Sequence, residues 1–568
     1  MNGGRAVNGG GVEEVDVVVA GAGPSGLALA VLLVQAGWRV RVFEPEAAPP
    51  ADSRAIGLHP PGLAVLARAG VAEAAIAAGL RIRRGTGVLA GLPIRSGGIG
   101  SGGSTAPCGT TPREQRLEIA SRPLAMMDFA RIGGPYPWVL SLPQSTTIRL
   151  LEERLHALDH TALRRGHRVV EAAAHPPRPS SASGRIRVPW TRIRPESDDR
   201  PSGAGASSGR AAPNSGGLTN GRANGDGAGC GVEVTTTPTG GGPASTVRAR
   251  FLVGADGIRS TVRGLAGIGH HRRRYPDRYL MGDFADSSGL GDEAVLFLHP
   301  EGIVESFPLP GEARRWVVRL SGGGTAADSP VASGGGNDAT GRVDSGSGTA
   351  TTGRVASGRG EASSGGPRAD IPPAPDRRTL PEARAALLAG IVSARTGHAP
   401  EPLTAGMTSA FGTWRGTADT MVRGPFILIG DAAHEVSPIG GQGMTLGLLD
   451  AAELADLLGG LVAGLRPDAP SPARDGSAVT TDPERGLRPE PGDTATEPPQ
   501  GDEAARFAHF SRRRLAAAAR AGRQAHVNMV LGRPLPRPLS RVAARALGAA
   551  LSVPVLKRAA ARQFTMNW

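Results

Sequence analysis

Sharply patterned blocks of apolar and polar positions alternate along this chain with long stretches that have no pattern. The clearest block opens at residues 15–20, Val-Asp-Val-Val-Val-Ala, a near-continuous apolar, β-branched run of a length that suits a buried parallel strand. Residues 27–36 follow as an Ala/Leu helix closed by Gly37, and residues 39–43 form a second strand. Helical periodicity returns at residues 62–69 and 71–78, and residues 80–89 read as strand. Residues 138–144 predict a short strand, then a helix to Leu158 that Ser145 or Thr146 is placed to cap. Strands are predicted near 168–170, 185–192, 232–234 and 247–253. Three more, at 294–298, 303–307 and 316–320, are separated by Pro-Glu-Gly and Pro-Gly-Glu turns and predict an antiparallel meander. Helices are expected at 381–394, 445–458, 504–531 and 539–561, and a buried strand at 426–429.

The unpatterned stretches are Gly/Pro/Ser/Ala-rich: residues 97–111, 176–229, 321–369 and 465–500. They account for much of the 84 glycines and 48 prolines among 568 residues, and have no repeat period. Without them about 400 residues remain, enough for two interleaved domains and a helical tail. The net charge of +13 raises the question of nucleic acid, but Lys557 is the only lysine and the arginines are dispersed rather than clustered among aromatics. No nucleic-acid partner is expected. Two cysteines, Cys108 and Cys230, cannot build a metal site or a disulfide framework, so no metal is expected. The first residues lack a signal-peptide core, and no apolar run approaches the roughly 18–20 residues of a membrane span. The expected location is cytoplasmic.

Between the first strand and helix lies Gly21-Ala22-Gly23-Pro24-Ser25-Gly26, a G-x-G-x-x-G. Gly21 suits the tight turn, Gly23 an approach of backbone to a pyrophosphate, and Gly26 close helix–strand packing. Glu44, 18 residues beyond Gly26, ends the second strand where a carboxylate can hold a ribose hydroxyl. Residues 98–103 also match the glycine pattern, but no strand precedes them and no helix follows. Two further motifs leave strands in the same way. Residues 251–260 run into Gly254-Ala255-Asp256-Gly257. Residues 426–429 run into Gly430-Asp431-Ala432-Ala433-His434, then Pro438 and the glycine-rich Gly440-Gly441-Gln442-Gly443-Met444 at a helix N-terminus.

With the three motifs in this order, residues 16–458, outside the low-complexity tracts, resemble the class A FAD-dependent monooxygenases of the p-hydroxybenzoate hydroxylase family. The resemblance implies an α/β fold in which a Rossmann-like FAD-binding domain (12–93, 138–172, 231–268, 418–464) interleaves with an antiparallel β-sheet substrate domain (112–137, 269–320, 370–417). C-terminal helices (503–568) follow. It implies non-covalent FAD held by Gly21, Gly23, Ser25, Gly26 and Glu44, with Arg54 and Gln144 contacting it and Asp256 and Gly257 serving FAD and NAD(P)H. Gly430 and Asp431 would meet the ribityl chain; Pro438, Gly441, Gly443 and Met444 would lie by the isoalloxazine ring. The sequence departs from the family at Pro45, where a basic residue is frequent, and at Thr445, where asparagine is common.

The reaction so implied is hydroxylation of an aromatic, phenolic or polyketide-type substrate with NAD(P)H and O2, through a flavin hydroperoxide. The alternative on the same fold is a reductase or dehydrogenase of an isoprenoid or polyketide, like the geranylgeranyl reductases. Flavin halogenases are disfavoured, since no two tryptophans are spaced W-x-W. No catalytic base is assigned. Phe284, Phe297, Phe307 and Trp316 read first as sheet core, His299 as polar surface and His434 as a positioning residue. The basic tail helices, with Arg541, Arg545, Lys557, Arg558 and Arg562, suggest at most weak peripheral membrane contact.

Overall fold

A computed structural model describes residues 12–50, 55–92, 120–175, 231–320, 380–463 and 502–567. The four low-complexity tracts, both cysteines and the strand expected at 185–192 lie outside them.

The chain is organised around Val17–Ala20, whose three valines are completely buried, as a strand covered on both faces must be. It pairs in parallel with Val40–Glu44 on one side and Phe251–Gly254 on the other. Phe426–Leu428 and Leu163–Arg165 extend this sheet in parallel, and Val422–Arg423 adds an antiparallel edge. Strand order thus reverses at Val17–Ala20, and in such sheets ligands bind beyond the carboxyl ends at the reversal. The three motifs are the loops leaving three adjacent strand ends there. Helix Pro24–Gln35 buries Leu27, Leu29 and Leu33, and Gly37 ends it at φ +81°. Helix Gly443–Ala463 packs so closely beside it that a Cβ on Gly447 would stand 2.1 Å from the Ser25 hydroxyl.

A second sheet of eight strands covers the crevice. Its order is His434–Glu435, Met407–Ala418, His270–Ala285, Ala313–Arg319, Val304–Leu309, Ala294–Leu298, Arg84–Leu92, Ala120–Asp128. The expected meander is present, and all pairings are antiparallel except that of Ala294–Leu298 with Arg84–Leu92. One face buries Leu280, Phe284, Phe297, Trp316 and Val318 against Leu388 and Val392 of helix Leu380–Thr396. Because side chains alternate along a strand, Met281, Glu305, Phe307, Arg315 and Val317 point the other way, toward the crevice.

Several expectations are corrected. Residues 80–89 are two strands in different sheets, Leu80–Ile82 and Arg84–Leu92, so the large sheet takes a segment assigned to the FAD-binding domain. Residues 247–253 likewise divide into Ser245–Ala249 and Phe251–Gly254. Helix Gln144–Leu158 starts too early for Ser145 or Thr146 to cap it; its N-cap is Pro143, with no side-chain cap. Residues 539–561 are two helices, Arg537–Ser552 and Pro554–Phe564, because Pro554 has no N–H to continue the first. These two leave Leu539, Val542, Val555 and Leu556 exposed. Among the described residues no single helix is long and apolar enough to cross a membrane.

Candidate active site

The crevice encloses a cavity of about 440 Å³ between the motif loops and the large sheet. Its floor is built from backbone. Gly23, Pro24 and Ser25 present one helix N-terminus to it, and Gly441, Gly443 and Met444 present a second. Free N–H groups and the positive ends of two helix dipoles therefore converge where an anionic group would lie. Gly440 (φ +104°) and Gly441 (φ +67°) turn the chain in the left-handed region to make this possible.

The glycines test whether a dinucleotide fits. A Cβ on Gly21 would meet the Ala255 carbonyl oxygen at 2.4 Å, and one on Gly26 the Gly21 oxygen at 2.1 Å, so the chain's own packing requires both. Gly23 has an ordinary φ of −75° and nothing within 4 Å of its missing Cβ. Nothing among the described residues explains glycine there; Gly23 lines the cavity, and the open space beside it fits the pyrophosphate of FAD.

Of the other expected residues, Gln144, Gly257, Gly430, Asp431 and Pro438 line the cavity. Arg54 lies outside the described residues. Glu44 stands beside the glycine loop, its Oε2 accepting from Ala22 N–H (2.8 Å) and its Oε1 from Glu46 N–H (3.0 Å). Asp256 does not line the cavity. Its Oδ2 accepts from the N–H groups of Thr261 (2.7 Å) and Val262 (3.2 Å), while Oδ1 is buried with no partner among the described residues. Burial outweighs those bonds and raises its pKa. Asp431 is exposed to the cavity, and the protein packed behind it, opposed by His434, pushes its carboxyl up to about 6. Its carboxylate has no hydrogen-bond donor among the described residues, as a ligand for ribityl hydroxyls would require.

Beneath the floor lies a polar cluster absent from the sequence reading. His434 Nε2 meets Asp450 Oδ2 at 2.6 Å, Arg514 Nε donates to Asp450 Oδ1 at 2.6 Å, and Gly430 N–H donates to Oδ2 at 2.9 Å. Burial alone would raise the pKa of Asp450, but His434 and Arg514 hold it far below the usual carboxylate range. Asp450 in turn raises His434 against its own burial. The cluster fastens the Gly430–Ala432 turn to helix Gly443–Ala463 and to the tail helix Glu503–Leu531, and His434 is thereby a positioning residue. Thr445 is also structural, its hydroxyl accepting from His59 N–H at 3.2 Å. His59 lines the cavity, and burial drives its pKa down to about 4, so its ring is neutral.

The remaining walls come from Ile82, Phe129, Met281, Phe307, Val317, Phe411 and, from the last helix, Phe564, with Glu305 and Arg315 in the roof. Phe284, Phe297 and Trp316 are sheet core, as expected, and only Phe307 of that group reaches the cavity. His299 caps its own turn, accepting from Glu301 N–H at 3.2 Å. Arg514 and Phe564 carried no readable signal, being one arginine and one phenylalanine of an Ala/Arg-rich tail.

The family described as "FAD binding domain" matches residues 14–182, 224–322 and 368–469. The chain belongs to this family. Its curated relatives include the para-nitrophenol 4-monooxygenase of Pseudomonas sp. (strain WBC-3), 24% identical over 79% of this chain and 78% of that protein. The rifampicin monooxygenase of Streptomyces venezuelae is 26% identical over 80% of this chain and 66% of its own length. Among solved structures, the p-nitrophenol 4-monooxygenase of Pseudomonas putida DLL-E4 superposes with a TM-score of 0.58 over 98% of this chain and 99% of that one, at 20% identity, a likeness of fold. The resemblance read from the three motifs therefore holds: this is a class A FAD-dependent monooxygenase in family and fold.

Proposed function

We propose that the enzyme uses NAD(P)H and O2 to hydroxylate a phenolic or aromatic polyketide-type ring held between the motif floor and the large sheet. The observation that carries this reading is the continuity of one cavity: the loops suited to FAD open directly into a chamber walled by Phe129, Met281, Phe307, Val317 and Phe411. Flat apolar ligands suit such walls, and a chamber of this kind keeps water from the reacting atoms. The para-nitrophenol and rifampicin monooxygenases among the relatives support the substrate class over the reductase alternative.

Gly23 and the N-terminus of helix Pro24–Gln35 would hold the pyrophosphate, Asp431 the ribityl chain, and Pro438 with Gly441–Met444 the ring. Reduced FAD supplies, with O2, the oxygen atom that is transferred. The floor's N–H groups and the dipole of helix Gly443–Ala463 are placed to stabilise negative charge on the reduced ring. Charge placed there in advance needs no rearrangement when it develops.

The test is oxygen-18 incorporation from O2, measured alongside NADH and NADPH oxidation, across a panel of phenols and polyketide aromatics. One labelled oxygen in the product per coenzyme consumed is expected with at least one class. Coenzyme-dependent reduction of a ring or polyene without label would select the reductase.

A further inference from the structure

We infer that Glu305 is the base of this enzyme, accepting the proton of the substrate's hydroxyl group as the ring is oxidised; the inference rests on the hydroxylase reading above.

Its position in the strand explains how a carboxylate comes to be there. Val304–Leu309 alternates, with Val304 and Ser306 on the helix-covered face and Glu305 and Phe307 on the other. In an open sheet that second face would meet water, but here it roofs the cavity. Glu305 is 6% exposed, and no hydrogen bond or ion pair to its carboxylate is present among the described residues. A buried carboxylate with no partner is a standing cost to the fold, which a partner from outside the chain would relieve.

The charged groups nearby are already engaged. Arg315, on the next strand and facing the same cavity, is held by both oxygens of Asp283 at 2.6 and 2.7 Å. Arg319 is taken by Asp277, and Arg314, on the opposite face of the sheet, is paired with Asp286. Tyr279 is kept neutral by burial and by Glu305 itself, which push its hydroxyl well above the ordinary phenol range, and Asp431 and His59 also line the cavity. Burial alone lifts Glu305 to about 7. A base is most effective with a pKa close to the working pH, and positioned proton transfer typically contributes about 10²–10⁴-fold in rate.

The step balances. The substrate's O–H bond breaks, its proton forms the carboxylic acid of Glu305, and the bonding pair spreads from oxygen into the ring, enriching the ortho and para carbons. One such carbon gains the oxygen atom derived from O2; the second oxygen leaves as water, with two electrons from NAD(P)H. The ring hydrogen departs as a proton when aromaticity returns, and Glu305 gives its own proton back to the product oxygen.

The test compares wild-type, Glu305→Gln and Glu305→Asp holoenzymes. Oxidised enzyme is titrated, without coenzyme, with 2-naphthol and with 2-methoxynaphthalene, which lacks the donated hydrogen. Wild type at pH 8 should prefer the naphthol by about tenfold or more, as a hydrogen bond to a charged acceptor allows, and the preference should fade toward pH 6 as Glu305 protonates. Glu305→Gln should lose the pH dependence and most of the preference while keeping its FAD. Because it removes an uncompensated charge, it should also unfold later than wild type at pH 8 and no later at pH 5. Hydroxylation of the best substrate should fall by about 10²-fold or more, and Glu305→Asp should recover part of it. A Glu305→Gln enzyme with wild-type preference and pH profile overturns the inference. So does one that loses the preference yet hydroxylates at the wild-type rate. If wild type itself incorporates no labelled oxygen with any phenol, the hydroxylase reading fails, whatever the naphthol titration gives.

Discussion

Two carboxylates withdrawn from water stand on opposite sides of one cavity and are treated in opposite ways. Beneath the floor, Asp450 is bonded by His434, Arg514 and Gly430 N–H and is held strongly ionised. In the roof, Glu305 has no such partner among the described residues and is pushed up toward neutrality. The floor must keep one shape whatever is bound, so its polar groups satisfy one another and tie three elements together. The roof must meet a molecule that arrives and leaves. Its unpartnered acid costs the fold stability and is available for chemistry.

The contrast is broken most severely by Asp450→Ala, which leaves Arg514 buried and without its main partner. Removing one member of a buried pair costs about 3–5 kcal/mol, so urea unfolding should show a loss of that size, with reduced FAD content. A loss under about 1 kcal/mol would mean that the cluster is not what fixes the floor. Its pH signature has a definite sign. His434 has a raised pKa in the fold, so its contribution is fully present below its ordinary value near 6.5. It is lost as pH rises through the folded value. Asp450 has a lowered pKa, so its contribution persists from above the ordinary carboxylate range and is lost only in strong acid. His434→Gln should accordingly flatten the wild-type decline in stability on the alkaline side and leave the acid side steep.

Next in size are the two acids of the cofactor strands. Asp431→Ala removes a carboxylate facing the cavity, and a bond to a charged acceptor is worth on the order of 1.5–3 kcal/mol, or about 10- to 150-fold in FAD affinity. Glu44→Ala should weaken FAD comparably, through the glycine loop whose Ala22 N–H it holds. At saturating FAD, Glu44→Ala should recover turnover, whereas Asp431→Ala should keep diverting coenzyme oxidation into hydrogen peroxide. Equal recovery would mean that Asp431 anchors the cofactor without placing its ring.

What the sequence reveals divides along the same line as the two acids. The floor is made of short-range patterns, a strand, a glycine loop and a helix start within some twenty residues, and these can be read directly from Val17 to Glu44. The roof is made by long-range pairing. Residues 270–285 begin His-His-Arg-Arg-Arg and contain Pro276, so neither alternation nor composition marks them as a strand, although His270–Ala285 is a central strand of the large sheet. Its register against Met407–Ala418 shifts between Arg274 and Arg278, which is where the proline is accommodated. Glu305 could not be singled out at all. Val-Glu-Ser-Phe reads as an ordinary strand with one wet face, and only the neighbouring sheet turns that face inward. Arg514 is invisible for a related reason, being one of many arginines in an alanine-rich helix.

A glycine pair sharpens the account of the floor more gently. Gly26→Ala forces a Cβ to 2.1 Å from the Gly21 oxygen and should damage folding itself. Gly23→Ala meets nothing within 4 Å, so unfolding of the FAD-free protein should change by no more than about 0.5 kcal/mol. FAD affinity should nonetheless fall at least about tenfold, because the new methyl group occupies the space left for the pyrophosphate. Unchanged affinity, measured by flavin fluorescence quenching, would show that the phosphates lie elsewhere.

The smallest effect is expected at Phe564, where the tail reaches the cavity. Its ring stacks on Phe129 with centroids 5.7 Å apart and planes 4° from parallel, and stands edge-on to His59 at 5.6 Å. Aromatic pairs of this kind contribute about 0.5–1.5 kcal/mol beyond their buried area, and Phe564 is only half-buried, so Phe564→Ala should lower stability by about 1 kcal/mol. The consequence for chemistry is larger than that figure suggests, because Phe564 forms part of the cavity wall and its removal opens the chamber from the tail side. Water admitted there would compete with the ring for the activated oxygen. FAD binding should be unaffected, while the yield of hydroxylated product per coenzyme consumed falls and peroxide rises. Iodide should also quench flavin fluorescence more strongly in the variant than in wild type. Unchanged quenching and yield would assign the last helix to stability alone and leave the large sheet to exclude water by itself.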